Sequence, residues 1–140
     1  MNGRVRKGWP ETAMKLAYDI ANCRSEDPWL QVGAACIKHD NTIVLGYNGA
    51  PVDIDIDWSD RDERRPYVLH AEENVLSNVA RGEVKILAVT HIPCERCMKL
   101  IAQKGISTVF YSELTENYDH DLAFKMAAKF KITLRQIGSQ

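Results

Sequence analysis

The sequence predicts an α/β protein: a mixed five-stranded sheet with helices on both faces. Two short strand patterns around Asp40-Asn41 give a hairpin. Helical patterns then alternate with nearly continuous apolar runs, the signature of strands covered on both sides. The chain has 140 residues, which sets a single domain as the expectation, residues 1–140.

Pro10 to Cys23 reads as the first helix. Ala13, Leu16, Ala17 and Ile20 lie at helical spacing, and Pro10 suits a first turn. Arg24-Ser25-Glu26-Asp27-Pro28 ends it, because the residue before a proline avoids the helical region. Val32 to His39 is a strand in which Val32, Ala34, Cys36 and Lys38 alternate with Gly33, Ala35 and Ile37. Thr42 to Tyr47 is its partner. After Asn48-Gly49-Ala50-Pro51, a loop runs to about Pro66 and mixes six acidic side chains with Arg61, Arg64 and Arg65. A loop of that length is either functional or a solvated insertion.

His70 to Arg81 reads as the second helix, with Val75, Leu76 and Val79 buried and Gly82 as its cap. Val84 to Thr90 is a strand, Cys94 to Lys104 a helix stopped by Gly105, and Ile106 to Tyr111 a strand. Asp119 to Phe130 is the fourth helix, packing through Leu122, Met126 and Phe130, and Ile132 to Ile137 the last strand.

Composition excludes some functions. A formal charge of −1 and a pI near 6.4 argue against a dedicated nucleic-acid binder. No run of 18 apolar residues suggests a membrane span, and the basic start is not followed by the apolar stretch of a signal peptide. A reducing cytoplasm is therefore expected. Of the four cysteines, Cys23 and Cys36 are expected to be small buried hydrophobes, and Cys94 and Cys97 metal ligands.

The chemistry centres on His70-Ala71-Glu72 and Pro93-Cys94-Glu95-Arg96-Cys97. One imidazole and two thiols are three protein ligands for zinc, which leaves an open position for water. Cys94 and Cys97, three apart at a helix start, share a face where partial positive charge favours thiolates. His70 and Glu72 are separated by about 200° on an ideal helix. They converge only if the site lies off the helix N-terminus. His91 offers an alternative: as a fourth ligand it would close the site and remove catalysis. His39 and His120 are expected at the surface, and Glu73 and Glu95 to point to solvent.

The pair H-x-E and P-C-x-x-C is the pattern of zinc nucleobase deaminases. Zinc lowers the pKa of a bound water, which attacks C4 of a cytosine ring. Glu72, itself not a ligand, moves the water's proton to ring N3 and helps protonate the leaving amine.

More of the chain resembles the deoxycytidylate (dCMP) deaminase family of the zinc cytidine-deaminase superfamily. Arg24-Ser25-Glu26-Asp27-Pro28 leading into Gln31-Val32-Gly33-Ala34 is similar to that family's first loop and strand. Gly46-Tyr47-Asn48-Gly49-Ala50-Pro51 resembles its G-Y-N-G-x-P turn, and Tyr67 to Asn74 its active-site helix entry. Pro93 to Ile101 resembles its second zinc segment.

The resemblance implies a three-layer cytidine-deaminase-like fold and hydrolysis of dCMP to dUMP and ammonia, feeding dTTP synthesis. Action on dCTP or 5-substituted dCMP is an alternative, and editing of a polynucleotide a more distant one. It also implies one zinc per chain on His70, Cys94 and Cys97, with Glu72 as general acid/base. Asn48 would bond the deoxyribose, with Ala71 among the substrate-binding residues, and a carbonyl just before Pro93 would accept from the amine. Ser25, Arg24 and Tyr118 are the candidates for the phosphate region. Family members are commonly homo-oligomers, hexamers or dimers, regulated by dCTP with Mg2+ and by dTTP. This chain departs from the family in Val52-Asp53-Ile54-Asp55 after the turn and in a short preceding loop without cysteine or histidine. A second zinc is not expected, and regulation is expected to be weak or absent.

Overall fold

The structure, a computed structural model, describes residues 3–115 and 119–138. Its elements are α1 (Trp9–Arg24), β1 (Gly33–Lys38), β2 (Ile43–Tyr47), α2 (Arg61–Arg64), α3 (Ala71–Leu76), β3 (Val84–His91), α4 (Glu95–Gln103), β4 (Thr108–Glu113), α5 (Asp121–Lys129) and β5 (Thr133–Gln136). A single 3-10 turn, Arg65–Tyr67, follows α2. The strands form one open, mixed sheet in the order β2-β1-β3-β4-β5. β1 is antiparallel to β2 and to β3, while β3, β4 and β5 run parallel.

The alternation of side chains along each strand sorts the core into two layers. Ala35, Ile37, Ile86, Ala88 and Phe110 face Ala13, Met14 and Ala17 of α1. Ala34, Cys36, Leu87, Val89 and Val109 face the other way, where Val75, Met98, Ile101 and Ala127 of α3, α4 and α5 pack. Helices therefore cover both faces, as the continuous apolar runs predict.

The packing side of α5 differs from the expected one: Ala123 and Ala127 are buried, Met126 is partly buried, and Leu122 and Phe130 are exposed, because the helix lies close enough to its neighbours for small side chains to face the core. Three further local expectations change. The buried stripe of α1 is Ala13, Met14, Ala17 and Ala21, with Leu16 and Ile20 on its flank. Small residues win because α1 lies against the backbone of β1: a Cβ on Gly33 would overlap the Ala17 carbonyl and sit 3.0 Å from Ala21 Cβ. That rotation leaves Cys23 exposed rather than buried, whereas Cys36 is fully buried.

The second helix stops at Leu76 instead of Arg81. Ser77 Oγ and Asn78 Nδ2 both donate to the Asn74 carbonyl, at 2.7 and 3.3 Å, and compete for a helical acceptor. Turns continue to Gly82, at φ 87°, and still bury Val79. The third change is in the acidic loop, which holds a capped turn of helix. Asp60 Oδ1 accepts from the amides of Asp62 and Glu63, at 2.9 and 3.2 Å, and starts α2, whose Arg64 is buried.

One close approach places α3 for function. A Cβ on Gly46 of β2 would lie 2.6 Å from Val75 N and 2.8 Å from Ala71 O. Helix α3 thus rests directly on strand backbone. Gly46→Ala is expected to push α3 outward and destabilise the fold by about 1–3 kcal/mol. Thermal melting together with zinc content checks this: both fall.

Candidate active site

The site is built from two helix starts. His70 is the N-cap of α3, with extended backbone at φ −70° and ψ 156°. Glu73 Oε1 accepts from the His70 amide at 2.9 Å and completes a capping box. The residue before His70 is held as well. Leu69 exchanges two backbone hydrogen bonds with Gly49, at 2.8 and 3.2 Å, and Asn74 Nδ2 donates to the Tyr47 carbonyl at 2.8 Å. The turn after β2 therefore fixes where α3 begins. Cys94 is the N-cap of α4, at φ −75° and ψ 172°, directly after Pro93.

These starts bring the three ligand candidates together. His70 Nδ1 lies 3.5 Å from Cys94 Sγ and 3.4 Å from Cys97 Sγ. The three donor atoms lie within 4.8 Å of one another and are the ligand-type cluster found among the described residues. Tetrahedral zinc with bonds of about 2.3 Å to sulfur and 2.0–2.1 Å to nitrogen sets N and S about 3.5 Å apart. The donor set and its spacing fit that ion.

Electrostatics favour the same assignment. Cys94 is pushed down to about 3, first by a hydrogen bond from Cys97 and also by His70. Cys97, as the donor, is pushed up, and burial adds to that. The lowering at Cys94 favours a thiolate there, the metal-binding form. His70 is pushed up by its contact with Cys94. Glu72 is 4% exposed, and burial pushes its carboxyl up to about 7 despite the opposing pull of His70.

Glu73, expected in solvent, instead joins the two halves. The same Oε1 that caps α3 is 2.8 Å from Arg96 Nη2 on α4. Glu95 is exposed as expected, as is His39, and His120 is partly buried. His91 is not in the ligand cluster. Its Nδ1 is 2.8 Å from Thr90 Oγ1, and its Nε2 is 3.8 Å from Glu113 Oε2. The closed four-ligand alternative therefore has no support in the geometry.

A cavity of about 340 Å³ opens over the cluster, bounded by His70, Ala71, Glu72, Ile92, Cys94 and Asn48. Asn48 is 6% exposed and heavily committed. Its Oδ1 accepts from Ser25 Oγ at 2.5 Å and from Val32 N at 2.9 Å, and its Nδ2 donates to the Leu30 carbonyl at 2.8 Å. One amide hydrogen remains. Ser25 and Arg24 do not line the cavity. The Ser25 hydroxyl is engaged with Asn48, and Arg24 is exposed at the end of α1. Tyr118 lies outside the described residues.

Asp27, Arg61, Arg64 and Arg65 also line the cavity. Nothing in the sequence distinguishes the three arginines, which sit in one run of mixed charge.

Residues 7–113 match the family model described as the cytidine and deoxycytidylate deaminase zinc-binding region. A deoxycytidylate deaminase of Pongo abelii is 39% identical over 132 residues, 86% of this chain and 72% of that protein. One of Mus musculus is 38% identical over 137 residues, 90% of this chain and 75% of that protein. Among solved structures, dCMP deaminase from the cyanophage S-TIM5, in complex with dCMP and dUMP, is similar at a TM-score of 0.76 and 27% identity. That match covers 91% of this chain and 95% of the phage chain.

The shared carboxylate of Glu73 yields a prediction. Glu73→Ala is expected to lower stability by about 1 kcal/mol, the usual loss for a helix cap. It should also speed zinc loss to a chelator, because the two helix starts lose their link. Denaturant melts and chelator kinetics check both effects, and Glu73→Gln should recover most of the cap.

Proposed function

Because the chain belongs to the cytidine and deoxycytidylate deaminase family, we propose that it hydrolyses dCMP to dUMP and ammonia. One observation carries this reading: His70, Cys94 and Cys97 converge at the floor of a nucleotide-sized cavity with Glu72 buried beside them. The similarity to deoxycytidylate deaminases, and to a phage enzyme crystallised with dCMP and dUMP, supports dCMP as the substrate.

His70, Cys94 and Cys97 would hold one zinc per chain. When bound, zinc supplies Lewis-acid activation of water. The cytosine ring enters over Ala71 and Glu72. Glu72 takes a proton from the attacking water and delivers it to ring N3 as the C4–O bond forms. It then carries the second proton from that oxygen to N4, the C4–N4 bond breaks, and ammonia leaves. A carboxyl titrating near neutrality can both accept and return a proton. The carbonyl of Ile92, which lines the cavity, is the acceptor for the amine. Asn48 directs its remaining amide hydrogen to the sugar.

Further features of the protein belong to the same proposal. Free thiols at all four cysteines suit a reducing compartment such as the cytoplasm. No helix among the described residues is long and apolar enough to cross a membrane. Leu100 on α4 and Leu122 and Phe124 on α5, exposed on touching helices, suit a homo-oligomer. Regulation by dCTP with Mg2+, or by dTTP, is proposed to be weak. Asp53, Asp55 and Asp57 stand exposed after the turn and would repel a triphosphate.

An ammonia-release panel of dCMP, dCTP, deoxycytidine, CMP and a cytosine-containing oligonucleotide tests the activity. Turnover is expected to be highest with dCMP, and none with dCMP would refute the reading. Glu72→Gln should retain zinc and lose about 10²–10⁴-fold in turnover. Near-normal turnover would remove Glu72 from the mechanism. Asn48→Ala is expected to raise KM for dCMP. It should also destabilise the fold by about 1–3 kcal/mol, because the Ser25 hydroxyl and the Val32 amide lose their acceptor. Steady-state kinetics and thermal melts read the two effects separately.

A further inference from the structure

We propose that His91, clamped between Thr90 and Glu113, is a positioning residue for the deamination: it fixes the Ile92 carbonyl against the N4 amine and so favours the cytosine base over the uracil product. The inference rests on the dCMP reading, with the Ile92 carbonyl as acceptor, and adds the side chains that hold that carbonyl in place.

His91 ends β3 and is partly buried on the wall of the cavity, yet the proposed chemistry gives it no proton to move. Its polar edges are directed at the protein. Nδ1 is 2.8 Å from Thr90 Oγ1. Nε2 faces Glu113 Oε2 at 3.8 Å, an electrostatic contact rather than a short hydrogen bond. Burial pushes the His91 pKa down against the pull of Glu113, which favours the neutral imidazole. The hydrogen bonds then assign its tautomer. Thr90 is fully buried, and its Oγ1 accepts from the Gly33 amide at 3.2 Å. The hydroxyl proton needs an acceptor of its own, and His91 Nδ1 is the one it meets. That leaves the ring proton on Nε2, directed at the Glu113 carboxylate.

Glu113 holds the same stretch a second time. It is the partner of His91 in the parallel β3–β4 pairing, and its carbonyl accepts from the Ile92 amide at 2.9 Å. Its carboxylate is anchored in turn, because the Tyr18 hydroxyl of α1 donates to Oε2 at 2.5 Å. Burial first, and then that bond, raise the Tyr18 pKa to about 12, so the phenol stays a donor. A chain of contacts thus runs from Tyr18 on α1 through Glu113 on β4 and His91 and Thr90 on β3 to Gly33 on β1. Ile92 is the next residue after it. On its other side stands Pro93, fully buried, which brings no N–H and confines Ile92 to extended backbone. The direction of the Ile92 carbonyl is therefore set by the His91–Ile92 peptide. Glu113 holds that peptide through its carbonyl and steadies it through the His91 ring. A carbonyl held in one direction distinguishes an amine, which donates to it, from a ring oxygen, which does not.

Binding without turnover reads this directly. Zinc-loaded Glu72→Gln protein is titrated with dCMP and with dUMP, with and without His91→Ala. The affinity for dCMP is expected to fall about threefold to tenfold, as for loss of a neutral hydrogen bond. The affinity for dUMP, which has no N4 proton to donate, should stay unchanged. With Glu72 intact, kcat/KM for dCMP should fall by a similar factor. Glu113→Ala, at an exposed side chain, should give a smaller loss in the same direction. Glu113→Gln keeps an acceptor oxygen and should recover most of that loss. Because the two side chains act as one clamp, His91→Ala/Glu113→Ala should lose no more than His91→Ala alone.

Equal weakening of dCMP and dUMP in His91→Ala, or no weakening of either, overturns the proposal, and His91 would then only fill the wall. Additive losses in the double variant overturn the clamp. If His91→Ala does not fold, an unchanged dCMP-to-dUMP ratio in Glu113→Ala overturns it. A wild-type protein that releases no ammonia from dCMP refutes the deaminase reading, and the titrations still decide the clamp because they need no turnover. One that deaminates dCMP while His91→Ala keeps the wild-type ratio refutes the clamp alone.

Discussion

Two helices must begin at the same point in space, and the rest of the site depends on that. α3 starts at His70 and α4 at Cys94, and the ligand atoms come from those first turns. The constraint is strict because tetrahedral coordination tolerates only a few tenths of an ångström in ligand position. Three separate contacts enforce it. Gly46 lets α3 lie on β2, the Gly49–Leu69 bridge fixes the residue before His70, and Glu73 joins the His70 amide to Arg96 of α4. Each acts on backbone or on a helix cap, so each sets a position rather than adding a contact to the metal.

The surroundings of the cluster balance opposing charges. The half-buried Cys94 and the buried Glu72 belong to one site, and burial raises the cost of ionising Glu72. The partial positive charge of the helix starts offsets part of that cost, and a cation held by the donor cluster would offset more. The burial that destabilises the charged form of Glu72 would also suit the proposed proton transfer, which needs a carboxyl that can both accept and return a proton.

Loops complete what the sheet begins. Asn48 ties the segment after α1 to the end of β2 through Ser25, Leu30 and Val32. Asp27, in the same segment, faces Arg64 from the acidic loop. The two segments thus meet across the cavity, and a buried ion pair of this kind fixes geometry more than it adds stability.

The five strands, the main helical segments and the helices on both faces of the sheet were legible in the sequence, as were the three donor side chains that the fold gathers. Period-two alternation and residue chemistry are local, and they survive folding unchanged. Position on a helix was less secure. The α1 stripe turned towards alanines because β1 approaches too closely for Leu16, and Cys23 was left exposed in consequence. Helix α3 ended early where Ser77 and Asn78 captured a carbonyl. Packing buried Arg64 and left Arg61 and Arg65 exposed, gave Glu73 to a cap and kept Ser25 away from the cavity. In each case the deciding partner is distant in sequence: Asp27 and Trp29 for Arg64, Arg96 for Glu73, Asn48 for Ser25. Whether a polar side chain binds a ligand or the protein itself depends on which acceptors and donors the fold leaves unmet, and that is a property of the packed chain.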